Sequence, residues 1–361
     1  MLLLLLGCGS PGTPLPPSLH LPQPVQDLRA TRKGDVVTLT WTQPSHTTDK
    51  DSIRQLGQTL VCRDVSPSAG VPPANCSQPA GKVPPQPVPR SSGPNPPTPV
   101  AASFSEKLPV ELQTSHPAWF ALYAVQVQNP RGRSAGFSNA VSVPLAPTLE
   151  APSKPNVEVR ADGIHLFSSG NLPAVPAELA RPELEFFYRL SRQEEPPAAN
   201  AALVVIAETP AGSAMQVVDH SFEWEKHYSY NLTPITRVKS ASGSAEVQGE
   251  DSPAVEVFAH DIFPPAAPSG VEAVFSGNPQ NVYIDLTWAA NTESDLAGYN
   301  VYRRRAGESP ARINSELIPT PSFRDTQVAA GNEYFYSVSA VDLRHNESPR
   351  SAETSESVPS N

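Results

Sequence analysis

Cysteine and methionine are scarce in this chain: its 361 residues include three Cys and two Met. Positive charge is short as well. Lys and Arg number 26 against 36 Asp and Glu, a formal net charge of −10. An acidic chain is repelled by phosphate backbones, so nucleic acid is not an expected partner. Nor is there a broad basic patch for an anionic membrane surface. Long apolar runs are missing too: no stretch approaches the roughly 20 residues that a bilayer-spanning helix needs. The signatures of common chemistry are also absent. There is no H-E-x-x-H, no Cys/His set at zinc spacing and no Walker loop. Gly132–Gly136 spells G-x-S-x-G and Gly7–Gly12 spells G-x-G-x-x-G, but the first is a Gly-containing turn between two strand patterns and the second follows a leucine run into a proline-rich stretch, so neither has the strand–turn–helix context its motif requires. The eight histidines are scattered from His20 to His345. His220 and His227 come nearest to a pair, and they read as exposed residues around a turn. The chain is therefore read as non-catalytic, with no cofactor and no metal site expected.

What is plentiful is proline, with 43 residues, roughly double ordinary usage. Proline removes a backbone donor and clashes with the preceding turn, so long helices are excluded and short strands joined by turns are favoured. The last third shows such strands. In "NVYIDLTW", Val282, Ile284, Leu286 and Trp288 fall on one face, the period of two of a half-buried strand. "GYNVYRR" and "NEYFYSVSAVD" alternate in the same way, and "NTESD" and "AGESP" supply turns. The first third repeats this with "DVVTLTW", which aligns Val37, Leu39 and Trp41, and with "YAVQVQNPRGRSAGFSNAVSV". The middle third is more divergent, with "NVEVRADGIHLFSS", "LEFFYRLSR", "ALVVIAET" and "EKHYSYNL". The fold class is all-β: tandem antiparallel sandwiches joined by proline-rich linkers.

These strands resemble the fibronectin type III family. In the last module the resemblance covers 264–358. It rests on Pro264, Pro265 and Pro268, on "LTW" with Trp288, on "LAGYNVYR", and on "VAAGNEYFYSVSAVD". There Tyr334 stands at the family's tyrosine corner, which implies a hydroxyl reaching back to the nearby backbone. The first module spans 24–147 and has Ala121 at that place, with Trp119 and Phe120 able to fill the volume. The second spans 152–262 and has Tyr228 at the corner and Tyr230 two residues on. Pro234, farther along that strand, predicts a bulge or an early strand end. Prolines at the joints predict three modules in a row with limited bending. Within the first module, 66–102 reads as an excursion, since 11 of the 30 residues from 71 to 100 are proline and cannot form a sheet interior. The family implies spacing, adhesion or protein contact rather than catalysis.

The opening "MLLLLLGCGSPG" is too short for a span. Leu5-Leu6-Gly7-Cys8 resembles the lipobox of bacterial lipoproteins, a family in which the cysteine carries acyl chains. Residues 1–8 are read as the stub of such a signal, without its basic start, and 9–23 as a Pro/Gly/Ser tether. This implies membrane attachment through Cys8 and an exported protein of the cell envelope. Gly9 leans towards the outer membrane. With Cys8 assigned to lipid, Cys62 and Cys76 become a candidate disulfide closing a proline-rich loop, the alternative being two free thiols.

Lesser features are read conservatively. Asn291, Glu293 and Asp295 form a polar turn without calcium-loop spacing. Arg303, Arg304 and Arg305 are expected to be a solvated strand end that blocks edge pairing. Pro84 and Pro87 belong to a spacer. Asn75, Asn231 and Asn346 begin glycosylation sequons that matter only in a eukaryotic chain. Two functions remain open: an envelope-anchored spacer, adhesion or protein-interaction scaffold, and a glycan-binding or spacer component of a polysaccharide-degrading system. A cytokine-receptor ectodomain is disfavoured, since W-S-x-W-S is absent. The partner, protein or glycan, is not specified by the sequence.

Overall fold

The computed structural model of the chain describes residues 19–360 apart from 70–72, 74, 77, 78, 88–98, 198–201, 241, 242, 279 and 280. Cys8, most of the tether and part of the excursion lie outside the described residues. The chain separates into two compact units. One runs to Val157 and takes in Leu166–Val217 and Tyr228–Glu256; the other comprises Glu158–His165, Val218–His227 and the chain from Val257 onward.

The first sandwich contains β1 (Arg29–Lys33), β2 (Val36–Thr42), β3 (Thr59–Ser66), β4 (Gly81–Val83), β5 (Ala101–Lys107), a six-residue helix α1 (Val110–Ser115), β6 (Phe120–Val127) and β7 (Val141–Pro144). One sheet holds β1, β2 and β5; the other has the order β4-β3-β6-β7. Alternation on β2 buries Val37, Leu39 and Trp41 against Val61, Tyr123 and Val125 of the facing sheet. Strand β4 lies inside the proline-rich excursion, yet it obeys the proline rule, because it is a three-residue edge. Gly81 is needed there: a Cβ would sit 2.2 Å from the Phe104 ring.

The second sandwich contains β8 (Asn156–Arg160), β9 (Gly163–Asn171), β10 (Leu184–Glu195), β11 (Val204–Pro210), β12 (Ala214–Asp219), β13 (His227–Ser240), β14 (Gly243–Gln248) and β15 (Val255–Phe258). A three-stranded sheet has the order β12-β9-β8. The other sheet does not stop at the module. Its order is β11-β10-β13-β14-β1-β2-β5, with β15 also on β13, so it runs into the first sandwich as one eight-stranded sheet.

Two expectations are corrected here. Of the bulge or early strand end expected at Pro234, the early end is overturned. β13 continues to Ser240, and pairing with β14 begins at Ile235, opposite Gln248. The proline lacks an N–H, but its carbonyl accepts the Gly249 N–H at 2.7 Å. It therefore marks a change of partner strand rather than a break. Nor are the first two modules joined by a linker alone. Lys33 bridges Gln248 in parallel, the Gly34 N–H bonds the Gln248 carbonyl at 2.7 Å, and the Lys33 ammonium meets Asp251 at 2.7 Å. The Thr236 hydroxyl donates to the Pro147 carbonyl at 2.7 Å, fixing the proline-rich joint itself.

The last sandwich contains β16 (Glu272–Phe275), β17 (Ile284–Thr287), β18 (Leu296–Arg304), β19 (Ala311–Arg312), β20 (Ser322–Asp325), β21 (Glu333–Asp342) and β22 (Thr354–Ser357). Its sheets are β16-β17-β20 and β19-β18-β21-β22. Ile284, Leu286, Val301, Tyr336, Val338 and Ala340 are fully buried between them. This three-on-four antiparallel arrangement is fibronectin type III-like, and the chain is a set of tandem all-β sandwiches.

Candidate functional site

The corner residues come first. The Tyr334 hydroxyl accepts the Ala329 N–H at 3.0 Å. Tyr228 is buried, with the Arg192 guanidinium 4.9 Å from its ring centre. Ala121, at the same place in the first module, is fully buried; Phe120 is buried beside it and Trp119 stacks on His116. Trp41 and Trp288 are buried with their indole N–H groups unbonded, so they act as apolar mass. Cys62 and Cys76 form a disulfide with Cα atoms 5.2 Å apart, which ties the start of the excursion to β3.

Two residues past each corner lies a network that the sequence reading missed. Arg63 on β3 faces Tyr123 on β6 in register. Both bind Glu106 of β5, which belongs to the opposite sheet: the Tyr123 hydroxyl donates at 2.5 Å and Arg63 at 2.7 Å. The last module repeats this. Arg303 on β18 faces Tyr336 on β21, and both bind Asp325 of β20, at 2.7 and 2.8 Å. Burial pushes both tyrosine pKa values up, and the neighbouring carboxylate adds to it. Both hydroxyls therefore stay protonated and serve as donors. In the second module Arg192 on β10 and Tyr230 on β13 are buried. In the first and last modules a carboxylate from one sheet is thus pinned by an arginine and a tyrosine from the other. The signal was present as a repeated Arg, acid and Tyr at matching strand positions.

The arginine run is corrected by the same geometry. Arg303 belongs to this network. Arg304 lies 4.2 Å over Phe335 and pairs with Glu353 at 2.6 Å, and Arg305 pairs with Glu308 at 3.2 Å. The run is bound rather than merely solvated.

In the unit that carries the last sandwich, Asp261, Asp295 and Asp342 come together, with one carboxylate oxygen from each within 4.8 Å of the others. Asp261 and Asp342 are buried. Asp342 is held by the Arg344 and Asn346 N–H groups, both at 2.8 Å, and Asp261 accepts the Phe263 N–H at 3.2 Å. Burial raises the Asp261 pKa; the Phe263 N–H opposes this, and the charges of Asp342 and Asp295 add to it. Of the turn residues singled out in the sequence, only Asp295 joins this cluster. Glu293 instead accepts the Ala266 N–H at 2.8 Å. Nearby, His227 and His260 both stack on Phe258, with centroids 4.5 and 5.4 Å away. These rings turn their faces to one another. His220 is engaged elsewhere, on the Asp162 carbonyl at 2.8 Å, so it and His227 form no pair.

An open cleft of about 630 Å³ lies at one end of the first sandwich, between the β2–β3 and β6–β7 loops. Asp51, Arg54 and Arg131 line it, with Ile53 as an apolar wall. Asn129 holds its rim, accepting the Arg131 and Arg133 N–H groups at 2.9 and 3.0 Å. The cleft offers charge and hydrogen bonds to a polar ligand.

No known protein-family profile matches the chain. Among characterised proteins, an amylopullulanase of Thermoanaerobacterium saccharolyticum is 42% identical over 132 residues, 36% of this chain and 9% of that protein. An amylopullulanase of Thermoanaerobacterium thermosulfurigenes is 41% identical over 90 residues, 24% of this chain and 4% of that protein. The matched segments thus span less than a tenth of these relatives. Among solved structures, an Fn3-like protein from Clostridium thermocellum is 34% identical, covering 27% of this chain and 96% of that one, with a TM-score of 0.23. The FN1–FN3 domains of chicken CNTN1 are 14% identical, covering 94% of this chain and 100% of that one, with a TM-score of 0.26. No helix among the described residues is long and apolar enough to cross a membrane.

Proposed function

We propose that this protein is a non-catalytic accessory component of an exported polysaccharide-degrading system, in which three fibronectin type III-like modules, 24–147, 152–262 and 264–358, act as a spacer and contact scaffold. The observation that carries this reading is the match of 36% of the chain, at 42% identity, to a small part of an amylopullulanase. A segment that makes up 9% of a large hydrolase is of module size rather than enzyme size. The shared sheet between the first two modules suits a spacer, because it resists bending where a loose linker would not. A membrane anchor through Cys8 would hold the scaffold at the cell envelope, and its partner would be the hydrolase or its glycan.

Three measurements test the reading. The purified chain releases no reducing sugar from starch or pullulan; measured turnover overturns the non-catalytic assignment. Cross-linking in the native cell recovers a glycoside hydrolase; neighbours with no role in polysaccharide breakdown overturn the accessory role. The mature N-terminus has the mass of an acylated Cys8; a product that retains Met1 removes the anchor.

A further inference from the structure

We infer that β11 is a homodimerisation edge, through which two copies of this chain pair antiparallel to extend the eight-stranded sheet across a two-fold axis. β11 ends that sheet, with β10 on one side and no strand on the other among the described residues. A bare edge presents a row of unpaired N–H and C=O groups, a template for another strand. Here the side chains add to it. Leu203, Val204 and Val205 are consecutive and exposed by 52, 43 and 53%. The run from Ala202 to Ala207 carries no charge. The first charge, Glu208, is held by Arg189 of β10 at 2.5 Å and Arg237 of β13 at 3.2 Å, so it does not guard the edge.

The other edges are blunted. β4 has three residues and β19 two, and β7, β15, β16, β20 and β22 have four each. β5 carries the exposed Lys107, β8 carries Glu158 and Arg160, and β12 carries the exposed polar Gln216. β11 has seven residues and one blunting device, an extra residue at Ile206, where the register with β10 shifts. That bulge places the pairing segment on its Leu203–Val205 side.

The occupant is a second copy for three reasons. The partner must be a strand that can donate N–H groups. The segments 9–18 and 88–98, outside the described residues, hold four prolines each and make poor ladders. Two uncharged β11 strands meet without like-charge repulsion, whereas the edges β5 and β8 would bring charged side chains. An antiparallel pair of identical strands is also self-complementary and closes at two copies.

Sedimentation equilibrium of the intact chain tests this. The wild type is expected to shift with concentration from 38.6 kDa to twice that mass. Val205→Lys sets two ammonium groups beside the axis and should weaken the dimer by about tenfold or more. Val274→Lys, at a valine that is 55% exposed on β16, should leave it unchanged. A chain that stays monomeric throughout overturns the proposal, as does a dimer that survives Val205→Lys, which would place the contact elsewhere, the leucine run included. Hydrogen exchange of the wild type supplies a readout that no misfolded variant can blur. The 204–207 amides should gain protection as concentration rises, and concentration-independent exchange there counts against the edge.

Discussion

The first and last sandwiches carry the same inter-sheet network on different supports. Tyr336, Asp325 and Arg303 sit beside a corner tyrosine, Tyr334, whose hydroxyl caps the Ala329 N–H. Tyr123, Glu106 and Arg63 sit beside Ala121, and there a disulfide fixes β3 to the loop that follows it. The difference teaches which part of the module is general. The Arg–acid–Tyr pin recurs, while the corner and the crosslink are alternative local reinforcements.

The largest expected effect comes from breaking the pin where it is driest. Asp325 is 3% exposed and also accepts the Gln327 N–H at 2.9 Å. Asp325→Ala takes the acceptor from Tyr336 and the counter-charge from Arg303, which keeps the Gln327 carbonyl, and should cost about 3–5 kcal/mol, the range for one partner removed from a buried pair. Glu106 and Arg63 have side chains 13 and 22% exposed, so water can replace part of what is lost. Glu106→Ala should cost less. Urea unfolding of the two variants checks the order, and equal losses would mean that burial does not set the strength of the pin.

The disulfide comes next. Its ends are 14 residues apart, and closing such a loop stabilises by about 3 kcal/mol in the chain-entropy model. Cys62→Ala with Cys76→Ala should lower the first module's stability by that order and leave the last untouched. Differential scanning calorimetry with and without a reductant reads both. Below this lies the corner: Tyr334→Phe frees one backbone N–H and should cost about 1 kcal/mol. A loss as large as that of Asp325→Ala would make the corner, and not the pin, the main support.

How much of this was legible follows from distance along the chain. Trp41, Trp288 and Tyr334 were found because alternation within one strand places each of them. The Cys62–Cys76 pair came from counting cysteines. The pin was missed because its acid arrives from the facing sheet, and no periodicity within a strand reports which residue lies across a core. Arg303 was misread for the same reason: in a run of three arginines it looks solvated until Asp325 is folded over it. The shared eight-stranded sheet was hidden because it joins the modules through β14, whose Gln248 pairs with the distant Lys33, and because Pro234 suggested a bulge or an early end to β13. Asp261, Asp295 and Asp342 lie in three separate segments, so only the fold makes them neighbours.

That acidic cluster gives the finest contrast between the modules. In the first, Glu106 has an arginine and a hydroxyl and its charge is answered. In the unit that carries the last sandwich, Asp261, just before that sandwich begins, is buried facing Asp342 and Asp295, and its nearest mitigating groups are the Phe263 N–H and the more distant charge of Arg344. Its pKa is raised, so the folded state holds the proton more tightly than the unfolded chain does. Stability from this group is therefore highest in acid and is lost as pH rises from the ordinary aspartate range through the raised value. Asp261→Asn keeps an acceptor for Phe263 but removes the charge. It should stabilise that unit at neutral pH, leave it unchanged in acid, and flatten the decline between. Thermal melts across that range decide the matter: parallel curves for wild type and variant would show that the carboxylate is already neutralised.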